Sequence, residues 1–165
     1  MPSLIALAVS VGVLAVVATW IFFALDPVVA AHMQVWQAFI AWGCHFQAGG
    51  KFTGTRNTVI CMSFGAVVGM AAGMLAGQLG ALGDFAGPVA VGLGATVIVL
   101  ASKLPFLAVI PASVYGFASI AGLFLLGTAA GMTPTNSLLP TILSIIVGAA
   151  FGFVSEVVAG ALTKK

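Results

Sequence analysis

Residues 3–25 read SLIALAVSVGVLAVVATWIFFAL, an apolar run without one charged side chain. At about 1.5 Å per residue, roughly 23 residues make a helix of about 34 Å, enough to cross a hydrocarbon layer about 30 Å thick. The run is too long for the apolar core of a signal peptide, and no small-residue cleavage site follows it, so it reads as a retained first span. The rest of the chain has the same character, with 62% hydrophobic and 5% charged residues in a length of 165. No water-soluble packing of that composition could cover itself with polar surface. The expectation is an all-α integral membrane protein forming a single transmembrane domain over residues 1–165.

Hydropathy and helix breakers divide the chain into about six segments: 3–25, 28–48, 58–82, 88–102, 105–130 and 139–162. If each crosses once, Lys51, Arg56, Lys103, Lys164 and Lys165 fall on one face, and Asp26 and Asp84 on the other. Lys and Arg are retained on the cytoplasmic side of inserted bundles, which predicts an even-numbered weave with both termini cytoplasmic. A scattered net charge of +2 offers no footing for nucleic acid. Cys44 and Cys61 sit in apolar stretches and read as small hydrophobes.

Two segments are irregular. Residues 88–102 are short of a full span, and 103–111, KLPFLAVIP, carry two prolines that remove backbone donors. Broken helices of this kind mark translocation sites in transporters, where irregular backbone lines a cavity. A proline-kinked helix starting near the interface is the structural alternative.

At 100° per residue the second segment has two faces. Trp36, Phe39, Trp42, Gly43 and Phe46 cover one arc, and Gln34, Gln37, Ala41, His45 and Ala48 the opposite one. Amide and imidazole groups would lose their hydrogen bonds in lipid, so the Gln/His arc should face the bundle or an aqueous path. The aromatic arc reads either as a wall against lipid or a neighbouring subunit, or as a stacking surface for a planar solute. In the third segment Gly65, Gly69, Gly73 and Gly77 repeat every fourth residue, a ladder for close helix packing. In the sixth, Thr141, Ser144, Gly148, Gly152 and Ser155 form a small hydroxylated stripe, Gly148 and Gly152 serving packing. Glu156 at its edge is the one acid inside a predicted span, a position that is functional by default in a membrane. No nucleophile elbow, metal-spaced His/Cys cluster or phosphate-cradling loop occurs, so neither enzyme activity, cofactor nor metal is expected.

The stretch 36–50, WQAFIAWGCHFQAGG, with Asn57 and the glycine-rich span after it, resembles a family of small bacterial inner-membrane proteins catalogued as domain of unknown function 1097. Phe106, Ile110, Pro111 and Gly116, then Leu139-Pro140 through Gly148 and Gly152, fit the same pattern. The resemblance covers nearly the whole chain and implies a compact multi-pass fold in the bacterial inner membrane. A weaker resemblance is to one half of a bacterial urea transporter, carried by 37–46, 57–77 and 104–111 in order. No Asn-Pro pair follows the first of these, and no Thr lies between Pro105 and Pro111. That resemblance implies stacking walls from Phe39, Phe46 and Phe106, a polar contact from Gln37, and a homotrimer.

The leading expectation is a passive channel or facilitator for a small, largely neutral polar solute of the urea or short-amide class. Its pore candidates are Gln37, Phe39, Trp42, His45, Phe46, Phe106, Ser144 and Glu156. A secondary transporter using Glu156, with His45, as a proton site is the second reading. A non-transporting assembly protein whose glycine faces dock helices is the third.

Overall fold

A computed structural model of the chain describes residues 1–26, 28 and 31–163. Pro27, the early residues 29–30 of the second predicted segment, and the Lys164–Lys165 pair lie outside the described residues. Most of the described residues are helical, with no strand among them. Among the described residues the long helices are α1 (Ser3–Ala24), α2 (Val35–Gln47), α3 (Lys51–Gln78), α4 (Ala86–Ala101), α5 (Ile110–Leu126) and α6 (Leu138–Leu162). Short 3-10 turns, Gly80–Phe85, Pro105–Leu107 and Thr128–Ala130, lead into α4 and flank α5. Among the described residues four stretches are long and apolar enough to cross a membrane: α1, α3, Gly80–Ala101 and α6.

The packing is that of a lipid-embedded bundle. In α1 only Ala6, Ser10, Ala18 and Phe22 are buried, one stripe at multiples of four residues. The rest of the helix presents side chains such as Leu4 (77% exposed) and Val16 (72% exposed) outward. In α4 the buried stripe is Ala90, Gly94 and Ile98. Water would penalise such outer faces at about 25 cal/mol per Å2 of apolar surface, whereas lipid does not.

Each helix runs opposite to the one before it. Ser10 of α1 donates to the Ser155 carbonyl of α6 at 2.9 Å, while Ser3 lines the same cleft as Thr163, so both ends of the described chain lie together. Asn57 of α3 donates to the Ala48 carbonyl, Gln37 of α2 to that of Ser119 in α5, and Gly148 of α6 abuts the Ala38 backbone. On α3, Gly65 meets the Ser113 backbone, Gly69 meets Phe117 and Ile120, and Gly73 meets Phe124 and Pro134. The ladder partner is therefore α5 of the same chain, running parallel to α3. Gly116 of α5 presses on the Met62 backbone in return. Gly77 departs from its expected packing role, because nothing stands within 4 Å of the Cβ it lacks.

Three predicted boundaries are corrected. Within residues 31–48 of the second segment the helix covers the 13 residues of α2, about 20 Å and by itself too short to cross a membrane. The 88–102 segment extends back through Gly83 (φ 53°) into the 22 residues Gly80–Ala101. Pro88 sits in the first turn of α4, where its missing N–H has no intrahelical partner to lose. The polar gap 51–57 is helix rather than loop, because α3 begins at Lys51. The turn before it needs left-handed backbone at Gly49 (φ 112°) and Gly50 (φ 62°), which glycine adopts without a Cβ clash.

A buried polar seam between α2 and α6

The Gln/His face of α2 turns inward, as the wheel required. Gln37 and His45 are each 0% exposed, and Ala41 lies between them, also at 0%. The Gln37 amide nitrogen donates to the Ser119 carbonyl and to Thr141 Oγ1, both at 2.9 Å. One turn earlier the Gln34 backbone N–H donates to Ser144 Oγ at 2.9 Å. Ser144 Oγ itself donates to the Pro140 carbonyl at 2.8 Å. Among the described residues Gln37 Oε1, Ser119 Oγ and Trp42 Nε1 are buried without a partner. Burying such groups unpaired costs roughly 1–3 kcal/mol each, which makes them natural anchors for water or a polar solute.

About 12 Å further along α2 lies a second cluster. His45 Nε2 stands 2.8 Å from Glu156 Oε2, and His45 Nδ1 is 3.2 Å from Thr55 Oγ1. The Lys51 backbone N–H donates to the same Glu156 oxygen, so a carboxylate from α6 caps the first turn of α3. No side chain of α3's own entry performs that task. Gly50 and Gly152 make room for the arrangement. A Cβ on Gly50 would stand 2.5 Å from Glu156 Oε1, and one on Gly152 would stand 2.6 Å from the imidazole Cγ. Thr55 Oγ1 also donates to the Lys51 carbonyl at 3.1 Å. The Thr55 hydroxyl can donate to or accept from His45 Nδ1, according to the tautomer of the ring. One proton lies between Nε2 and Oε2, on a carboxylate that is 30% exposed beside an imidazole that is 0% exposed.

Each cluster adjoins an open cleft. His32, Gln34, Trp36, Leu123 and Met132 belong to one of about 270 Å3 at the α2 start. Ser3, Leu7, Lys51, Phe153 and Glu156 belong to one of about 420 Å3 between α1 and α6.

The chain belongs to the DUF1097 family. The match runs over residues 8–160, and the family is described as a protein of unknown function. No curated protein and no solved structure matches the chain, which leaves the urea-transporter resemblance without support.

The structure gathers the DUF1097 chain's candidate residues into two groups and leaves others apart. Gln37 and Ser144 lie in the first group; His45, Phe46 and Glu156 lie in the second, Phe46 meeting the imidazole edge-on at 5.4 Å. Trp42 turns inward from its aromatic arc, 3% exposed, stacked between Phe39 (5.6 Å) and Phe151 (5.4 Å). The slot expected of Phe39, Phe46 and Phe106 is not assembled among the described residues. Phe39 is 40% exposed on α2, Phe46 is half-buried beside His45, and Phe106 is 52% exposed on the turn ahead of α5. Sequence reasoning passed over Thr55, Ser119 and the Lys51 amide. The first lies in a stretch read as loop, the second on a helix whose polar face was not assigned, and a backbone donor carries no residue signature.

Proposed function

We propose that the protein carries a small, largely neutral polar solute of the urea or short-amide class across a membrane, along the α2–α6 seam. The observation behind this reading is the buried polar seam, with Gln37 holding an unused acceptor and a cleft adjoining the seam at either end. Such a route offers fixed hydrogen-bond groups to a neutral solute, and an ion would lose hydration there without replacement. Vesicles holding the protein should shrink and swell faster than protein-free ones for urea, formamide and glycerol. Gln37→Leu should lower that rate about tenfold, in line with about 1.4 kcal/mol of lost solute contact. Equal rates with and without protein would end the proposal. It involves no catalytic step.

The His45–Glu156 pair favours a second form of the reading, in which transport is proton-linked. An imposed pH gradient should then accelerate uptake in the same vesicles, and Glu156→Gln should remove the response to the gradient alone.

The proposal includes six passages through a bacterial inner membrane with both termini cytoplasmic. The alternating helix directions and the shared cleft of Ser3, Lys51 and Thr163 support it. α2 then crosses only with its linker, and α5, at 17 residues, only with its flanking turns. Cysteines introduced at Lys51 and Lys103 in a Cys44/Cys61-free background should react with an impermeant maleimide only after cell lysis. Labelling in intact cells would refute the orientation. A homo-oligomer, trimeric on the transporter analogy, belongs to the same proposal, and the exposed Phe39 and Tyr115 rings support such an interface.

A further inference from the structure

We propose that Glu156 is a proton-operated latch on α3. Its carboxylate caps the first turn while sharing one proton with His45, and a second proton, arriving through the α1–α6 cleft, releases that turn. The inference deepens the proton-linked reading by naming the element that moves.

The latch rests on three connected observations. Glu156 Oε2 meets two groups at once, the imidazole Nε2 of α2 at 2.8 Å and the Lys51 backbone N–H of α3, from which it accepts, across 111 and 105 residues of chain. The turn it holds is conformationally costly, since Lys51 itself has φ 50° directly after two left-handed glycines. A residue with a Cβ enters that region rarely and stays only where its surroundings hold it there. Glu156 is also the member of the pair in contact with the cleft, so a proton reaches the carboxylate without passing the fully buried ring.

The proton balance is simple. In the latched state one proton lies on the Nε2–Oε2 line, and Oε2 keeps a lone pair for the Lys51 N–H. Hydronium in the cleft gives a second proton to the carboxylate, forming an O–H bond and leaving water. The pair then carries one more positive charge, and the neutral carboxyl is a weaker acceptor for the Lys51 N–H. Among the described residues the charged groups around it are few. His45 faces it from α2 and Lys51 from α3, while Arg56 of α3 turns to Asn57. From α1 come Ser3 and Leu7, which do not titrate, with the Met1 amine two residues ahead; from α6 itself comes Thr163.

Hydrogen exchange on the full chain in lipid nanodiscs tests the latch without any solute. After correction for intrinsic rates, the amides of residues 51–54 should lose at least fivefold in protection between pH 7 and pH 3. Residues 65–78 should hold theirs. Glu156→Gln should be pH-independent, and His45→Gln should keep the step but move its midpoint. A flat wild-type profile, the same step in Glu156→Gln, or an unmoved midpoint in His45→Gln would overturn the latch. A working latch in a protein that moves no solute would refute the transport proposal and leave this one standing.

Discussion

Gly116→Val should leave little folded protein in detergent, whereas Gly77→Val should be nearly silent. A Cβ at Gly116 would overlap the carbonyl oxygen of Met62 and stand 2.6 Å from its carbonyl carbon. Gly65 faces the Ser113 carbonyl in the same way from the opposite helix. Both obstacles are backbone, so no rotamer change relieves them, and α3 and α5 must separate. Overpacking a core costs about 1–3 kcal/mol when side chains can adjust, and more where they cannot. A loss above about 3 kcal/mol is expected at Gly116, read as aggregation on size exclusion or a large fall in melting temperature. Gly77 is exposed, with nothing within 4 Å of a built Cβ, and surface changes usually stay within about 0.5 kcal/mol. Equal tolerance at the two positions would show that α3 and α5 do not meet through their glycines.

Glu156→Ala should destabilise the protein by about 2 kcal/mol. A fully buried ion pair loses about 3–5 kcal/mol when one partner is removed, and the 30% exposure of Glu156 reduces that figure. The substitution strips His45 Nε2 of its partner and leaves the Lys51 N–H uncapped. His45→Ala should cost a similar amount and adds an empty space beside Gly152, against which the ring packs. The double variant should fall short of the sum by about 1–2 kcal/mol, since contacting residues do not add. Sums that agree within about 0.3 kcal/mol would mean that the two side chains act independently.

Much of the architecture was legible because its causes are local. The inward turn of Gln37 and His45 follows from their sharing one face of α2, with lipid unable to satisfy them. The Gly65–Gly73 ladder announced a close helix partner through its four-residue spacing. Helix ends were less legible. Residues 51–57 look like a polar loop because the group that starts the helix, Glu156, lies 105 residues away. Gly77 continues the ladder in sequence but extends past its partner, since α5 gives way to the turn at Gly127. Trp42 shares an arc with Phe39, yet the close α2–α6 approach at Gly148 brings Phe151 within stacking reach and draws it inside.

Composition and hydropathy alone made this chain a helical membrane protein, because transfer of backbone and side chains into lipid depends on residue type and run length. Which polar groups would find one another was decided only by the folded bundle. Hydrogen bonds reach about 3 Å, and α6, more than 100 residues further on, had to pack against the α2–α3 turn before Glu156 came within that range of His45 and Lys51.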